Sequence, residues 1–232
     1  MNREKAVEIM MNCVNALIIL LIVVLYVATG TRVGDDAVAA LSKDATIYRG
    51  SAEGRVALEC AVSWDAAALT ELVDILDEHG ARATFFVSGQ WAKDNAALLR
   101  RMMTSGHEIG TMGYYPTFDG DLPAIVSDVE TSAAVIETIT GVAAEYYYSG
   151  LRSGDTSRRA ASEAGLCHVS CTTDLLSGRG DAVDIATRAL EHIFAGSILL
   201  IQPTAAAIAA LPTILSEIEA RGYRVTTVGD VL

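Results

Sequence analysis

The sequence predicts an α/β domain built on a parallel sheet. Short apolar runs alternate with amphipathic helical patterns about six times along the chain, and most of those helical patterns stop at a glycine. The turn after the first apolar run, "AVSWDAA", contains no glycine, which argues against a nucleotide-binding version of such a sheet. Periodicity alone does not separate a barrel from an open, doubly wound sheet.

The first strand is expected over residues 55–62, "RVALECAV", an apolar run with Glu59 inside it. A helix over 66–78 follows. Its Leu69, Leu72, Val73 and Leu76 recur at i, i+3, i+4 and i+7, which makes one buried stripe. Further strands are expected over 84–87, 108–111, 145–148, 167–171, 197–201 and 223–227. Helices are expected over 95–105, 123–140, 156–164, 181–193 and 207–221. Gly80, Gly106, Gly141, Gly165 and Gly222 stand where left-handed C-caps belong. Asp65, Asp94 and Asp121 are the expected N-caps.

Ahead of this domain, residues 9–29 form a nearly uninterrupted apolar run, containing "VNALIILLIVVLYVA". As a helix it reaches roughly 30 Å, about one bilayer core. Arg3 and Lys5 precede it, so residues 1–8 are expected in the cytoplasm and the rest outside, as a single-pass membrane protein. A cleaved signal peptide is the rival reading, because Ala28 and Gly30 are small residues near a cut site. The anchor is preferred because the run is long for a signal sequence. Residues 30–47 read as a polar, glycine-containing linker, and residues 48–232 as one domain.

The chain has 17 Lys and Arg against 29 Asp and Glu, a formal charge of −12. Such a surface repels phosphate backbones, so no nucleic-acid partner is expected. Cys167 and Cys171 are too far apart on one strand, about 13 Å, to pair with each other. A pairing of Cys60 with Cys171 across neighbouring strands is left open, with buried free thiols preferred. Zinc held by Cys167, His168 and Cys171 is disfavoured, since alternation puts His168 on the face opposite both cysteines.

Several stretches resemble one family. "GRVALE" runs into the first strand, "HGARATFFVSGQ" and "SGHEIG" follow, and "LPTILSEIEARGYRVTTVGDVL" ends the chain. Together they are similar to the polysaccharide deacetylase family, the NodB-homology or carbohydrate esterase family 4 domain. "YRG" at Tyr48–Gly50 and the pair Val62 and Trp64 resemble its sporulation-associated, membrane-anchored branch. The resemblance implies a distorted (β/α) barrel of roughly seven or eight strands, with the site at the strand C-terminal ends. It also implies metal-assisted amide hydrolysis, in which one Asp and two His hold zinc or another divalent metal. A second Asp acts as base, and a later His protonates the leaving amine.

The family's chemistry-bearing positions hold other residues here. Ala61 stands at the base position and Val62 at the metal carboxylate. Met112 stands where the first imidazole belongs, the second is lost to a one-residue gap or replaced by Tyr115, and Gln202 stands where the acid does. The family's Arg is missing from "YYSGL", while Asp174 matches a family Asp after the fifth strand. A thioether suits a hydrolytic zinc poorly, and an amide does not titrate.

Two functions follow as expectations. The preferred one is an inactive, membrane-anchored, extracytoplasmic protein that binds cell-wall glycan or scaffolds an unidentified protein. It has no cofactor, and its groove is lined by Trp64, Tyr114, Tyr115, Tyr147 and Tyr148. The other is an active hydrolase of N-acetylated peptidoglycan or chitin-like polysaccharide with a metal site rebuilt from Glu59, His168 and Asp174. For Glu59 the preferred reading is structural: its side chain reaches solvent or pairs with an arginine. His79 and His192 are expected on helix surfaces, and His107 in a structural role.

Overall fold

The computed structural model describes Met11 and residues 45–62, 66–116, 118–150 and 154–232. The expected membrane segment, Trp64 and Asp65 lie outside the described residues. Among the described residues no helix is long and apolar enough to cross a membrane.

The elements run in the order β1 (Arg55–Val62), α1 (Ala66–Glu78), β2 (Thr84–Val87), α2 (Gly89–Asp94), α3 (Ala96–Thr104), β3 (Glu108–Thr111), α4 (Leu122–Thr140), β4 (Tyr146–Tyr148), α5 (Asp155–Glu163), β5 (Cys167–Val169), β6 (Thr173–Asp174), α6 (Ala182–Glu191), β7 (Ile198–Ile201), α7 (Ala205–Ala220), β8 (Arg224–Thr226) and α8 (Val228–Val231). The strands lie in the order β5-β4-β3-β2-β1-β7-β6, with β8 attached to β1. The pairs are parallel, which makes a (β/α) half-barrel.

β1 is the central stave. Glu59–Val62 pair with β2, Ala57–Cys60 with β7 and Arg55–Ala57 with β8. Alternation divides its side chains between two faces. Val56, Leu58, Cys60 and Val62 join the outer core, where Leu69, Leu72, Val73 and Leu76 of α1 are fully buried. Ala57 and Ala61 join the inner core with Phe86, Met112, Tyr146, Tyr148, Val169, Ile198 and Leu200. A strand covered on both faces is apolar along most of its length, as β1 is apart from the exposed Arg55 and the buried Glu59.

The inner core also contains Ile47, from the segment ahead of β1. Ile47 bridges Val169 at the end of β5, and Arg49 bridges Ser197 just before β7. This strap spans the two ends of the sheet. It adds Ile47 N–H to His168 O at 2.8 Å, Ser170 N–H to Ile47 O at 2.8 Å and Gly50 N–H to Gly196 O at 2.7 Å.

Several expectations need correction. Asp94 does not cap a helix; it ends α2, whose N-cap is Ser88, accepting from the Trp91 amide. The strand expected over 167–171 stops at Val169, because the Ser170 amide turns to the strap. β6, α2 and α8 are too short to leave a periodic signal. Asp121 does cap α4, and Gly141 ends it at φ 75°. Cys60 and Cys171 lie on opposite faces of the sheet, and Cys60, Cys167 and Cys171 are all free thiols.

Candidate functional site

The C-terminal ends of β1, β2, β3, β4 and β7 form the mouth of the half-barrel. Ala61, level with Phe86 of β2, lies on the inner face and is 3% exposed. Val62 is fully buried in the outer core, away from that interior. Met112 follows β3, and its amide donates to Val87 O at 2.9 Å. Its side chain packs in the inner core. Phe86 lies there too, tilted against Tyr148 with ring centroids 5.6 Å apart. Gln202, beyond β7, is exposed, and its amide donates to Ser177 Oγ at 2.9 Å.

These residues do not fit a hydrolytic divalent metal. Ala61 and Val62 have no donor atom, Met112 has only a thioether inside an apolar cluster, and Tyr115 is 49% exposed. Among the described residues, no three His, Cys, Asp or Glu side chains converge to hold an ion. A cavity of about 700 Å³ opens at the opposite end of the barrel, lined by Arg55, His79, Tyr223 and Arg224 among others. It borders none of the mouth residues named above.

The expected aromatic groove divides. Tyr147 is 2% exposed and packs outward with Ile125, Val129 and Ala160, so it is not a groove residue. Neighbouring strand positions face opposite ways, and Tyr148 accordingly turns inward. Tyr114 and Tyr115, in the loop after β3, meet edge to face at 4.8 Å. Phe118 stacks on Tyr115 at 6.4 Å and 29°. Lys93 donates to the Tyr114 hydroxyl at 3.1 Å and also lies over its ring.

Asp128 of α4 holds this loop. Its carboxylate accepts from the Tyr114 amide at 2.8 Å and the Tyr115 amide at 3.3 Å. Gly113, at φ +91°, is needed there, because a Cβ would collide with that carboxylate. Asp128, Phe118 and Lys93 were not expected from the sequence. Asp128 acts across a fold contact that no local pattern marks.

Glu59 is the largest correction. It is fully buried on the inner side, and among the described residues neither carboxyl oxygen has a hydrogen-bond partner. It reaches no solvent, and among the described residues it pairs with no arginine. Burial pushes its carboxyl up to about 8, with the charge of Asp174 adding to the rise. Asp174 is level with Leu200 of β7, which is level with Glu59, so one strand separates the two acids. Asp174 is exposed, and its Oδ1 accepts from the Leu176 amide at 2.8 Å. Burial also pushes the Cys171 thiol up to about 12, aided by the charges of Glu59 and Asp174. The Tyr148 phenol rises for the same reasons, burial first.

His168 does not join them. Its Nδ1 meets Thr46 Oγ1 at 2.8 Å and its Nε2 meets Ser149 Oγ at 2.8 Å. It lies beside Tyr147 on the outer face, and burial, then Arg158, lowers it to about 4. A trio of Glu59, His168 and Asp174 is therefore split by the sheet itself. His107 is buried, its Nδ1 accepting from the Ala83 amide at 3.2 Å, while His79 and His192 are exposed.

Residues 57–169 match the polysaccharide deacetylase family model. The chain is 28% identical over 193 residues to the uncharacterized protein YlxY of Bacillus subtilis, covering 80% of this chain and 60% of that protein. It is 27% identical over 176 residues to the peptidoglycan-N-acetylglucosamine deacetylase of Bacillus cereus, covering 70% of this chain and 80% of that one. Its fold resembles BA3943, a CE4 family pseudoenzyme from Bacillus anthracis, with TM-score 0.74 and 24% identity over 81% of this chain and 69% of that one.

Proposed function

We propose that this chain, which carries a polysaccharide deacetylase domain, holds cell-wall glycan without hydrolysing it, as a membrane-anchored protein outside the cytoplasm. The observation that carries the proposal is the composition of the mouth. The positions for base, metal ligands and acid hold Ala61, Val62, Met112, Tyr115 and Gln202, and Phe86, Met112 and Tyr148 fill the inner core. None of these side chains activates water or titrates as the family's acid does.

Glycan is the preferred ligand because the Bacillus cereus relative is a peptidoglycan-N-acetylglucosamine deacetylase. The exposed Tyr115 ring, backed by Phe118, offers an aromatic face of the kind on which a sugar ring stacks. The apolar run over residues 9–29 supports the anchor, and the likeness at Tyr48–Gly50 supports a role in sporulation.

The test has two arms. N-acetylglucosamine oligomers and peptidoglycan fragments are expected to bind saturably without loss of acetate, and Tyr115→Ala is expected to weaken binding about tenfold. Acetate release by the unaltered chain would overturn inactivity. Binding equal in wild type and Tyr115→Ala would remove the aromatic face from the account.

The alternative, a rebuilt metal site, has the unpartnered Glu59 in its favour. Against it stands His168, committed on the other face to Thr46 and Ser149.

A further inference from the structure

Glu59 sits in a row of inward positions that crosses the sheet: Glu108, Thr84, Glu59, Leu200 and Asp174. Its immediate neighbours offer its carboxyl nothing. The Thr84 hydroxyl is committed, donating to Glu108 Oε2 at 2.5 Å and accepting from the Val228 amide at 2.7 Å. From β7 come Ile198 and Leu200, from β2 Phe86, and from α8 Val228 and Val231, all apolar. On β8, Thr226 is bonded to Asp230.

Asp174 of β6 raises Glu59, and the charge of Glu59 in turn raises Cys171, just before β6, and Tyr148 of β4. Cys60 is its neighbour on β1 and faces outward. Glu108, the other acid in the row, is on β3 beyond Thr84. Each of these groups is neutral or negative and none is a cation. A charge on Glu59 would therefore be buried with no compensating partner among the described residues, a costly state.

The side of the sheet facing Asp174 is also the thinnest. β6 has two residues and a single ladder, to β7. Beyond it, the Leu175 amide bonds Leu200 O at 3.0 Å. The Thr172 hydroxyl holds the strap, donating to Tyr48 O at 2.7 Å.

We propose that Glu59 is a proton-operated lock on the barrel: while it keeps its proton β6 stays packed on β7, and when it loses the proton, repulsion from Asp174, with no counter-charge among the described residues, releases β6. The raised carboxyl agrees with this and sets the window. The direction follows from proton counting. The folded chain keeps this proton up to about 8, whereas an unfolded carboxyl loses it near 4.5. Rising pH therefore weakens the closed form between those values.

The test is amide hydrogen exchange of the full chain at Leu175, corrected for the intrinsic pH dependence of exchange. Wild-type protection is expected to fall about tenfold or more between about pH 6 and about pH 9. Glu59→Gln, which keeps shape without charge, should hold protection level over that range. Asp174→Asn, which removes the charge that raises Glu59, should make the fall smaller and end it at lower pH. Identical wild-type and Glu59→Gln profiles would overturn the proposal. Should Glu59→Gln not fold, the wild-type carboxyl is followed by carbon NMR. Titration near the ordinary 4.5 would overturn the lock, and titration near 8 with loss of Leu175 protection at the same pH would support it.

Discussion

Asp128 shows how one residue can matter without touching a ligand. It accepts two successive amides and fixes the direction of the Tyr114 and Tyr115 rings. Asp128→Asn keeps the size but weakens two charge-assisted bonds, so a loss of about 1–3 kcal/mol is expected in urea unfolding. Glycan binding should fall with it, and unchanged binding would separate the loop from the ligand. His168 matters by opposing Glu59. Its lowered value means that its contribution is complete above about 6.5 and is lost as pH falls through about 4. Stability measured against pH should therefore decline on the acid side, and His168→Asn should flatten that limb. A limb unchanged by the substitution would assign acid lability elsewhere.

At the scale of elements, the strap is the least expected part. Residues 30–47 read as linker because nothing in them repeats, yet Ile47 is 8% exposed and bridges β5. Its pairing is nonlocal, and a segment so short has no period to read. A chain beginning at residue 51 should lose roughly 2–4 kcal/mol relative to one beginning at residue 31, through the buried isoleucine and the lost ladder bonds. Equal urea midpoints and slopes for the two would show that the strap adds nothing. α1 is the opposite case. Its apolar stripe is visible in the sequence, and all four of its side chains are fully buried. Leu72→Ala should cost about 2–5 kcal/mol by the same measurement, because the cavity forms in a closed core.

For the whole molecule, the sequence by itself determined the alternation of strands and helices and the bounds of β1, β2, β3 and α1. Those are legible because hydrophobic period, glycine stops and residue chemistry are local properties. Only the tertiary structure decided which face each inner residue takes and what it meets there. It set Tyr147 outward beneath α4 and α5 and Tyr148 inward against Phe86. It placed Glu59 one strand from Asp174, without a hydrogen-bond partner among the described residues, and His168 behind the sheet from both. It also brought the strap back across the ends of the sheet. The physical reason is common to all of these. Strand alternation predicts two faces, but only the order in which strands assemble says which face is the interior and whose atoms fill it.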